Sequence, residues 1–303
     1  MSQQLNLSSK VYEIDLPDIK RKKPPWLKKS LPPAASRQRM KKILRANQLH
    51  TVCESALCPN LGECFAQGNA TFLILGDTCT RSCRFCAVPS GSPLPVDPEE
   101  PMRVAEAVRK LALRHVVITS VTRDDLPDGG AAQYAATIRA VRTVSPRVTI
   151  EVLTSDFAGS SEALDLVLTE QPEVFSHNLE TVPRLYASVR PQAIFECSLD
   201  VLRRAVQAGC GLVKTGWMVG LGETSTEVEE LFKNIAKLKV DLVTIGQYLS
   251  PSKNHFPVRQ YIFPEIFEEY KIYGESLGLN VNAAPFVRSS FHAGEIYELA
   301  IAK

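Results

Sequence analysis

No stretch of this 303-residue sequence approaches the roughly 18 consecutive apolar residues of a membrane span, and no apolar core of a secretion signal follows its start. The early acids Glu13, Asp15 and Asp18 argue against an organelle transit peptide, so the chain reads as cytosolic. Acid is missing altogether between Lys20 and Arg45, where Lys and Arg recur although the net charge of the whole is only +2. One sign of charge over that length suits nucleic acid or an acidic protein partner, and equally a solvated surface segment. Internal repeats and low-complexity tracts are also lacking. So is any even spread of cysteine, since six of the eight lie between Cys53 and Cys86. A chain with 45% hydrophobic and 22% charged residues has core enough without disulfide staples, and the clustering indicates metal ligation in a reducing compartment.

Each group of cysteines is itself one short. Cys79, Cys83 and Cys86 stand at C-x3-C-x2-C directly after the apolar run Thr71-Phe-Leu-Ile-Leu75. Cys53, Cys58 and Cys64 stand at C-x4-C-x5-C, with Pro59 and Gly62 forcing turns between them. A structural zinc or an ordinary iron-sulfur cluster takes four protein ligands, so a set of three leaves a coordination position for something exchangeable. Cysteines buried only for packing would not favour so tight a hydrophilic loop. Cys197 and Cys210 have no partners at ligand spacing and read as small buried hydrophobes.

Residues 1–35, with Pro24-Pro25 and Pro32-Pro33 and little periodicity, predict an irregular arm. Met40, Ile43 and Leu44 predict a short basic amphipathic helix from Ser36 onward. Beyond the Cys79 loop, Asp97-Pro98-Glu99-Glu100 reads as a helix start, with Asp97 as N-cap and Pro98 at the first helical position. Then follow strand 115–119, helix 129–144, strand 147–153, helix 160–170, strand 173–177, helix 196–208 and strand 211–219. Gly220 and Gly222 mark a tight turn, Thr224 and Glu227 form a capping box, and a last strand spans 241–248. Near-continuous apolar strands separated by helices mean parallel strands covered on their outer face. About six βα units fall short of the eight that close a TIM barrel. The expected fold is therefore α/β: a partial (βα)6 TIM-type barrel with extensions at both ends and functional groups at the carboxyl ends of its strands. The expected division is a basic arm and short helix (1–50), a cysteine segment (51–70), the barrel (71–262) and a C-terminal extension (263–303).

At this spacing the Cys79 loop resembles the cluster loop of the radical S-adenosylmethionine (SAM) enzymes, in which SAM chelates the fourth iron of a 4Fe-4S cluster. The two triads together are similar to the pattern of the lipoyl synthase family. Thr51-Val-Cys-Glu54, Cys58-Pro-Asn-Leu-Gly-Glu-Cys64 and Gly76-Asp-Thr-Cys-Thr-Arg-Ser-Cys-Arg-Phe-Cys86 resemble that family's cysteine segments. Thr119-Ser-Val-Thr-Arg-Asp-Asp-Leu126, His177-Asn-Leu-Glu-Thr-Val182, Gly246-Gln-Tyr-Leu-Ser-Pro-Ser252 and Arg288-Ser-Ser-Phe291 extend the likeness from about Pro24 to Ala293. Phe291 stands where the family usually has Tyr, keeping the ring and losing a hydroxyl. Ala283-Ala-Pro-Phe-Val287 replaces a glycine-bearing lead-in, and Lys214-Thr215 stands where Lys-Ser is commoner.

The resemblance implies insertion of sulfur at C6 and C8 of a protein-bound octanoyl chain, which means breaking unactivated C–H bonds and so requires a radical. It assigns Cys79, Cys83 and Cys86 to the 4Fe-4S cluster that delivers an electron to SAM. It assigns Cys53, Cys58 and Cys64 to an auxiliary 4Fe-4S cluster that is consumed as the sulfur donor. The auxiliary cluster's fourth ligand maps to Ser290, with Ser289 in reserve; an alkoxide, harder than thiolate, leaves soft iron more readily. Thr119, Ser120, Asn178, Glu180, Arg190 and Lys214, polar groups at strand ends, are candidates to hold SAM's ribose and methionyl carboxylate. Implied partners are an octanoylated lipoyl-domain protein, a one-electron reductant such as ferredoxin or flavodoxin, and an iron-sulfur carrier; that the basic arm from Lys20 to Arg45 helps dock an acidic lipoyl domain is an expectation from its single sign of charge alone. Neither membrane nor nucleic acid is among those partners. Two other readings stay open at this point: another two-cluster radical SAM enzyme that inserts sulfur into a small molecule or tRNA, and a zinc-binding nucleic-acid module. The last would want a fourth Cys or His near each triad and no βα barrel.

Overall fold

The computed structural model describes residues 11–13, 23–29, 34–67 and 69–302, so most of the expected arm, Lys20 and Lys22 included, lies outside the described residues. Strand β1 (Val11–Glu13) comes first, and helix α1 (Ala34–Ala46) then buries Met40 and Leu44 as its periodicity demands. A two-residue strand β2 (His50–Thr51) leads into the short helices α2 (Val52–Ser55) and α3 (Leu61–Ala66), which carry Cys53 and Cys64.

The alternation that follows is β3 (Thr71–Ile74), α4 (Glu100–Leu111), β4 (His115–Ser120), α5 (Ala131–Val144), β5 (Thr149–Leu153), α6 (Ser161–Leu168) and β6 (Val174–Ser176). It continues through α7 (Tyr186–Val189), α8 (Phe195–Ala208), β7 (Leu212–Val219), α9 (Ser225–Leu238) and β8 (Leu242–Gln247). The chain ends with β9 (Gln260–Ile262), α10 (Pro264–Ser276), β10 (Asn280–Ala283) and α11 (Ala293–Ile301). Strands β3 to β8 lie side by side in chain order, all parallel, and every residue of β3 and β8 is buried. Burial on both faces is why their sequences are continuously apolar and do not alternate.

The sheet has eight strands, in the order β10-β8-β7-β6-β5-β4-β3-β2. β10 adds a seventh parallel strand beside β8, from the segment expected as an extension, and β2 pairs antiparallel with β3 at the other edge. No pairing joins β2 to β10, so among the described residues the barrel is open, as its unit count requires. α4 starts later than expected. Glu99 stands at its N-cap and Pro101 in its first turn, while the Asp97 carboxylate accepts from the Glu99 N–H (2.9 Å) in the turn before it. The Thr224 capping box forms as expected, with the hydroxyl accepting from Glu227 N and the Glu227 carboxylate from Thr224 N (2.8 Å). Gly220 and Gly222 have φ of +98° and +105°, which fits the tight turn after β7.

After β10 the chain lies against the open edge. The Ala284 N–H donates to Ile245 O (3.2 Å) and the Gln247 N–H to Pro285 O (3.2 Å). α11 then packs on the start of β4, with the Tyr297 and His115 rings 5.9 Å apart.

Candidate active site

The Cys79 loop is tied down on all sides by its own backbone. The Cys79 N–H donates to Pro89 O (2.8 Å), Cys86 N to Cys83 O (3.0 Å) and Arg84 N to Val189 O (2.9 Å). The Cys79 sulfur accepts from the N–H groups of Arg81 (3.4 Å) and Thr122 (3.3 Å). Arg81 anchors the loop to two other strand ends, pairing with Asp124 (2.7 Å) and Asp156 (2.7 Å). Burial pushes the Cys86 thiol up to about 12 and also raises Cys83, against the pull of the Arg190 guanidinium.

The other triad comes from α2, the turn after it and α3. Thr51 caps α2, its hydroxyl accepting from Glu54 N (3.3 Å), and the Cys58 N–H returns to Cys53 O (3.1 Å). Burial raises the Cys53 thiol to about 11 and Cys64 to about 12, and the neighbouring Cys58 sulfur adds to both shifts. A metal bound by these thiols would have to displace their protons. All eight cysteines are free. Among the described residues no three His, Cys, Asp or Glu side chains converge on one ion's position, and the thiolates of a multi-iron cluster, each on its own iron, need not converge. As a donor set, two groups of three free thiols, each on a short, backbone-tethered loop, fit two iron-sulfur clusters.

A cavity of about 470 Å³ opens at the carboxyl ends of the barrel strands. Cys79, Cys83 and Cys86 line it, as do Thr119, Ser120, Asn178, Glu180 and Arg190, and Cys53, Cys58, Ser289 and Ser290 reach it from the other side. Lys214 does not. Its ammonium is buried against Glu151 (2.8 Å) within the barrel, so the expectation that it faces SAM is corrected. Thr119 donates to Leu153 O (2.8 Å), and the Ser120 hydroxyl accepts from Tyr134 (3.1 Å). Glu180, at φ +65° and raised by burial, accepts from the Asn178 amide (3.0 Å). Arg190 donates through Nη1 to Leu179 O and Tyr186 Oη, and its buried Nε has no partner among the described residues.

The Arg-Ser-Ser segment divides its labour. The Ser289 hydroxyl donates to Asn178 Oδ1 (2.8 Å), whereas Ser290 lies on the cavity wall with Cys53 and Cys58 and on a second cavity wall with Cys64. Arg288 is partly buried, lines both cavities and feels the charges of Cys58 and Glu180, and desolvation lowers its pKa. Cys197 and Cys210 line neither cavity; Cys210 is fully buried and Cys197 partly exposed. Arg81 and Arg288 stood within the quoted motifs with no role assigned to them, and the network around Lys29 escaped the sequence reading. Lys29 pairs with Glu63 (2.5 Å) and Asn60 (2.7 Å), and its ammonium sits over the rings of Phe286 (5.2 Å) and Phe291 (4.8 Å). Its only signal was membership of a basic run that read as free surface.

An open parallel α/β barrel with a three-cysteine loop after its first barrel strand defines a radical SAM protein, and residues 73–235, more than half the chain, match the radical SAM superfamily. The fold is shared with the crystal structure of Streptococcus suis SuiB bound to S-adenosylmethionine (TM-score 0.56, 10% identity, 74% of this chain and 53% of that one). Residues 4–58 match the N-terminal domain of lipoyl synthase of the radical SAM family. Lipoyl synthase of Pelodictyon phaeoclathratiforme is 54% identical over 274 residues, covering 90% of this chain and 93% of the relative. Lipoyl synthase of Chlorobaculum tepidum is 52% identical over 274 residues, covering 90% and 94%. The chain belongs to the lipoyl synthase family.

Proposed function

We propose that the chain inserts sulfur at C6 and C8 of a protein-bound octanoyl group, giving the lipoyl cofactor. The observation that carries this reading is the convergence on one cavity of Cys79, Cys83 and Cys86 with Cys53 and Cys58 of the other triad. When bound, two 4Fe-4S clusters and SAM supply the one-electron chemistry that breaks unactivated C–H bonds and the sulfur that replaces hydrogen. Cys79, Cys83 and Cys86 hold the first cluster and leave one position for SAM. Cys53, Cys58, Cys64 and Ser290 hold the second; Ser290 is favoured over Ser289 because the Ser289 hydroxyl is committed to Asn178.

Thr119, Ser120, Asn178, Glu180 and Arg190 orient SAM. Arg190, kept charged by Tyr186, Glu180 and Cys83 against the cost of burial, meets its carboxylate. Val121, Trp217, Met218 and Tyr248 give the cavity an apolar wall that suits an eight-carbon chain and keeps water from the reacting carbons. The substrate is carried by an octanoylated lipoyl-domain protein. The electron comes from ferredoxin or flavodoxin, and an iron-sulfur carrier rebuilds the second cluster, all within the cytoplasm. Among the described residues no helix is long and apolar enough to cross a membrane.

The test is anaerobic incubation of iron-loaded protein with octanoylated lipoyl-domain peptide, SAM and a reductant, read by mass spectrometry. Lipoylated peptide is the expected product. SAM cleavage without any sulfur gained by the peptide would sink the reading.

A further inference from the structure

Ser290 stands in a turn closed by the Phe291 N–H, which donates to Arg288 O (3.0 Å), and the residues flanking that turn are gripped from the second triad's own loop. Asn60, two residues after Cys58 and 1% exposed, donates through Nδ2 to Phe286 O (2.7 Å), ahead of the turn. Its Oδ1 accepts from the Lys29 ammonium (2.7 Å). The same ammonium meets the carboxylate of Glu63 (2.5 Å), the residue before Cys64, and lies over the rings of Phe286 (5.2 Å) and Phe291 (4.8 Å). Glu63 also faces His292 Nε2 (3.4 Å), directly after Phe291. One cation thus joins both sides of the serine to both halves of the cysteine loop. The barrel's own hydrogen bonds to this stretch are at Ala284, Pro285 and Ser289, whereas Phe286, Phe291 and His292 are met by Lys29, Asn60 and Glu63.

We infer that Lys29 and Asn60 are positioning residues that set Ser290 against the second triad, with Phe291 serving as the ring on which the Lys29 charge rests. The inference rests on the proposed role of Ser290 as that triad's fourth ligand. An exposed ion pair alone would hold little, but this cation also has two aromatic faces and a buried amide. The amide is committed on both sides, so loss of either partner leaves a buried polar group unpaired. A cation is drawn to the face of a ring, where the negative end of the quadrupole lies, and that attraction needs no hydroxyl. Phe291 therefore fills its place in the clamp although the family usually has Tyr there.

The test uses the full chain with Cys79, Cys83 and Cys86 changed to Ala, so that the second triad alone holds a cluster, loaded anaerobically and then treated with ferricyanide and a ferrous chelator. One-electron oxidation lets the iron that lacks a thiolate leave as Fe(II), and the three-iron cluster left behind is counted by its EPR signal. Ser290→Ala is the reference for a lost ligand. Lys29→Met and Asn60→Leu are each expected to shed that iron severalfold faster than the background chain, as is Phe291→Leu, while Phe291→Tyr keeps the slow rate. In the metal-free full chain, hydrogen exchange at the Val287 and Phe291 N–H groups, which donate to Ala284 O and Arg288 O, should quicken severalfold in Lys29→Met, with exchange in β4 and β5 unchanged. Iron loss at the background rate in Lys29→Met while Ser290→Ala loses it fast overturns the clamp, and so does exchange that quickens equally throughout the barrel. Fast loss in Phe291→Tyr overturns the role given to the ring. Slow loss in Ser290→Ala removes the serine as a ligand, and the clamp's purpose falls with that part of the proposed function.

Discussion

Arg81 lies inside the Cys79 loop, and its guanidinium meets Asp124 from the β4 to α5 connection and Asp156 from the end of β5. The pair with Asp156 is buried on both sides, so removing one partner strands the other. Arg81→Met is expected to cost about 3–5 kcal/mol in urea unfolding. Burial alone would raise the Asp156 carboxyl, but Arg81 outweighs it and the net shift is downward. A carboxyl lowered in the folded state stabilises the fold above its unfolded pKa, about 3.9, and that stability drains away as pH falls through the lowered value. The gap between Arg81→Met and the unsubstituted chain should therefore be widest near neutrality and shrink as pH falls below the unfolded carboxyl pKa of about 3.9. A gap independent of pH would place the cost elsewhere. Ser290→Cys should keep both clusters and SAM cleavage while making little lipoyl product, because thiolate holds iron more firmly than alkoxide does. Full activity in Ser290→Cys and Ser290→Ala, with Ser289→Ala inactive, would move the ligand one residue upstream. Spacing along the chain exposed the six clustered cysteines and the serines, but it could not expose Lys214's partner. Glu151 lies 63 positions away and meets it only across the sheet.

At the scale of elements, β3 to β8 were legible because burial on both faces writes an unbroken apolar run. β10 was not. Asn280-Val-Asn-Ala283 carries one large apolar residue and becomes a strand because β8 offers it an edge. β2, with two residues, was hidden for the same reason. Gly246, in β8, shows what its motif needs from glycine: a Cβ there would run into the carbonyl oxygen of Val287, at the base of the Arg-Ser-Ser segment. Gly246→Ala is expected to push that segment off the barrel edge, lowering iron at the second triad more than at the first. Equal iron at both would show that the segment can yield. On α9, Thr224→Ala removes a capping box and should cost about 1 kcal/mol in thermal or urea unfolding.

Across the whole molecule, the described part of the arm is more than a charged surface. Trp26 stacks near Phe263 (4.7 Å), and Lys29 joins Glu63 on α3 to Phe286 and Phe291 beside Ser290, so the arm straps the second triad to the C-terminal segment. If the arm docks an acidic lipoyl domain, its exposed lysines, Lys23 and Lys28 among them, are the groups that meet it. Affinity for that domain should weaken as salt rises and in the Lys23→Glu, Lys28→Glu double variant; a complex indifferent to both would remove the arm from docking. The central claim is the division of labour between the triads, and parallel quantitation of 5′-deoxyadenosine and lipoyl product in alanine variants tests it most directly. Cys79→Ala, Cys83→Ala and Cys86→Ala should each abolish both, while Cys53→Ala, Cys58→Ala and Cys64→Ala should keep deoxyadenosine formation and lose the lipoyl product. Equal loss of SAM cleavage in both sets of folded variants would contradict the account.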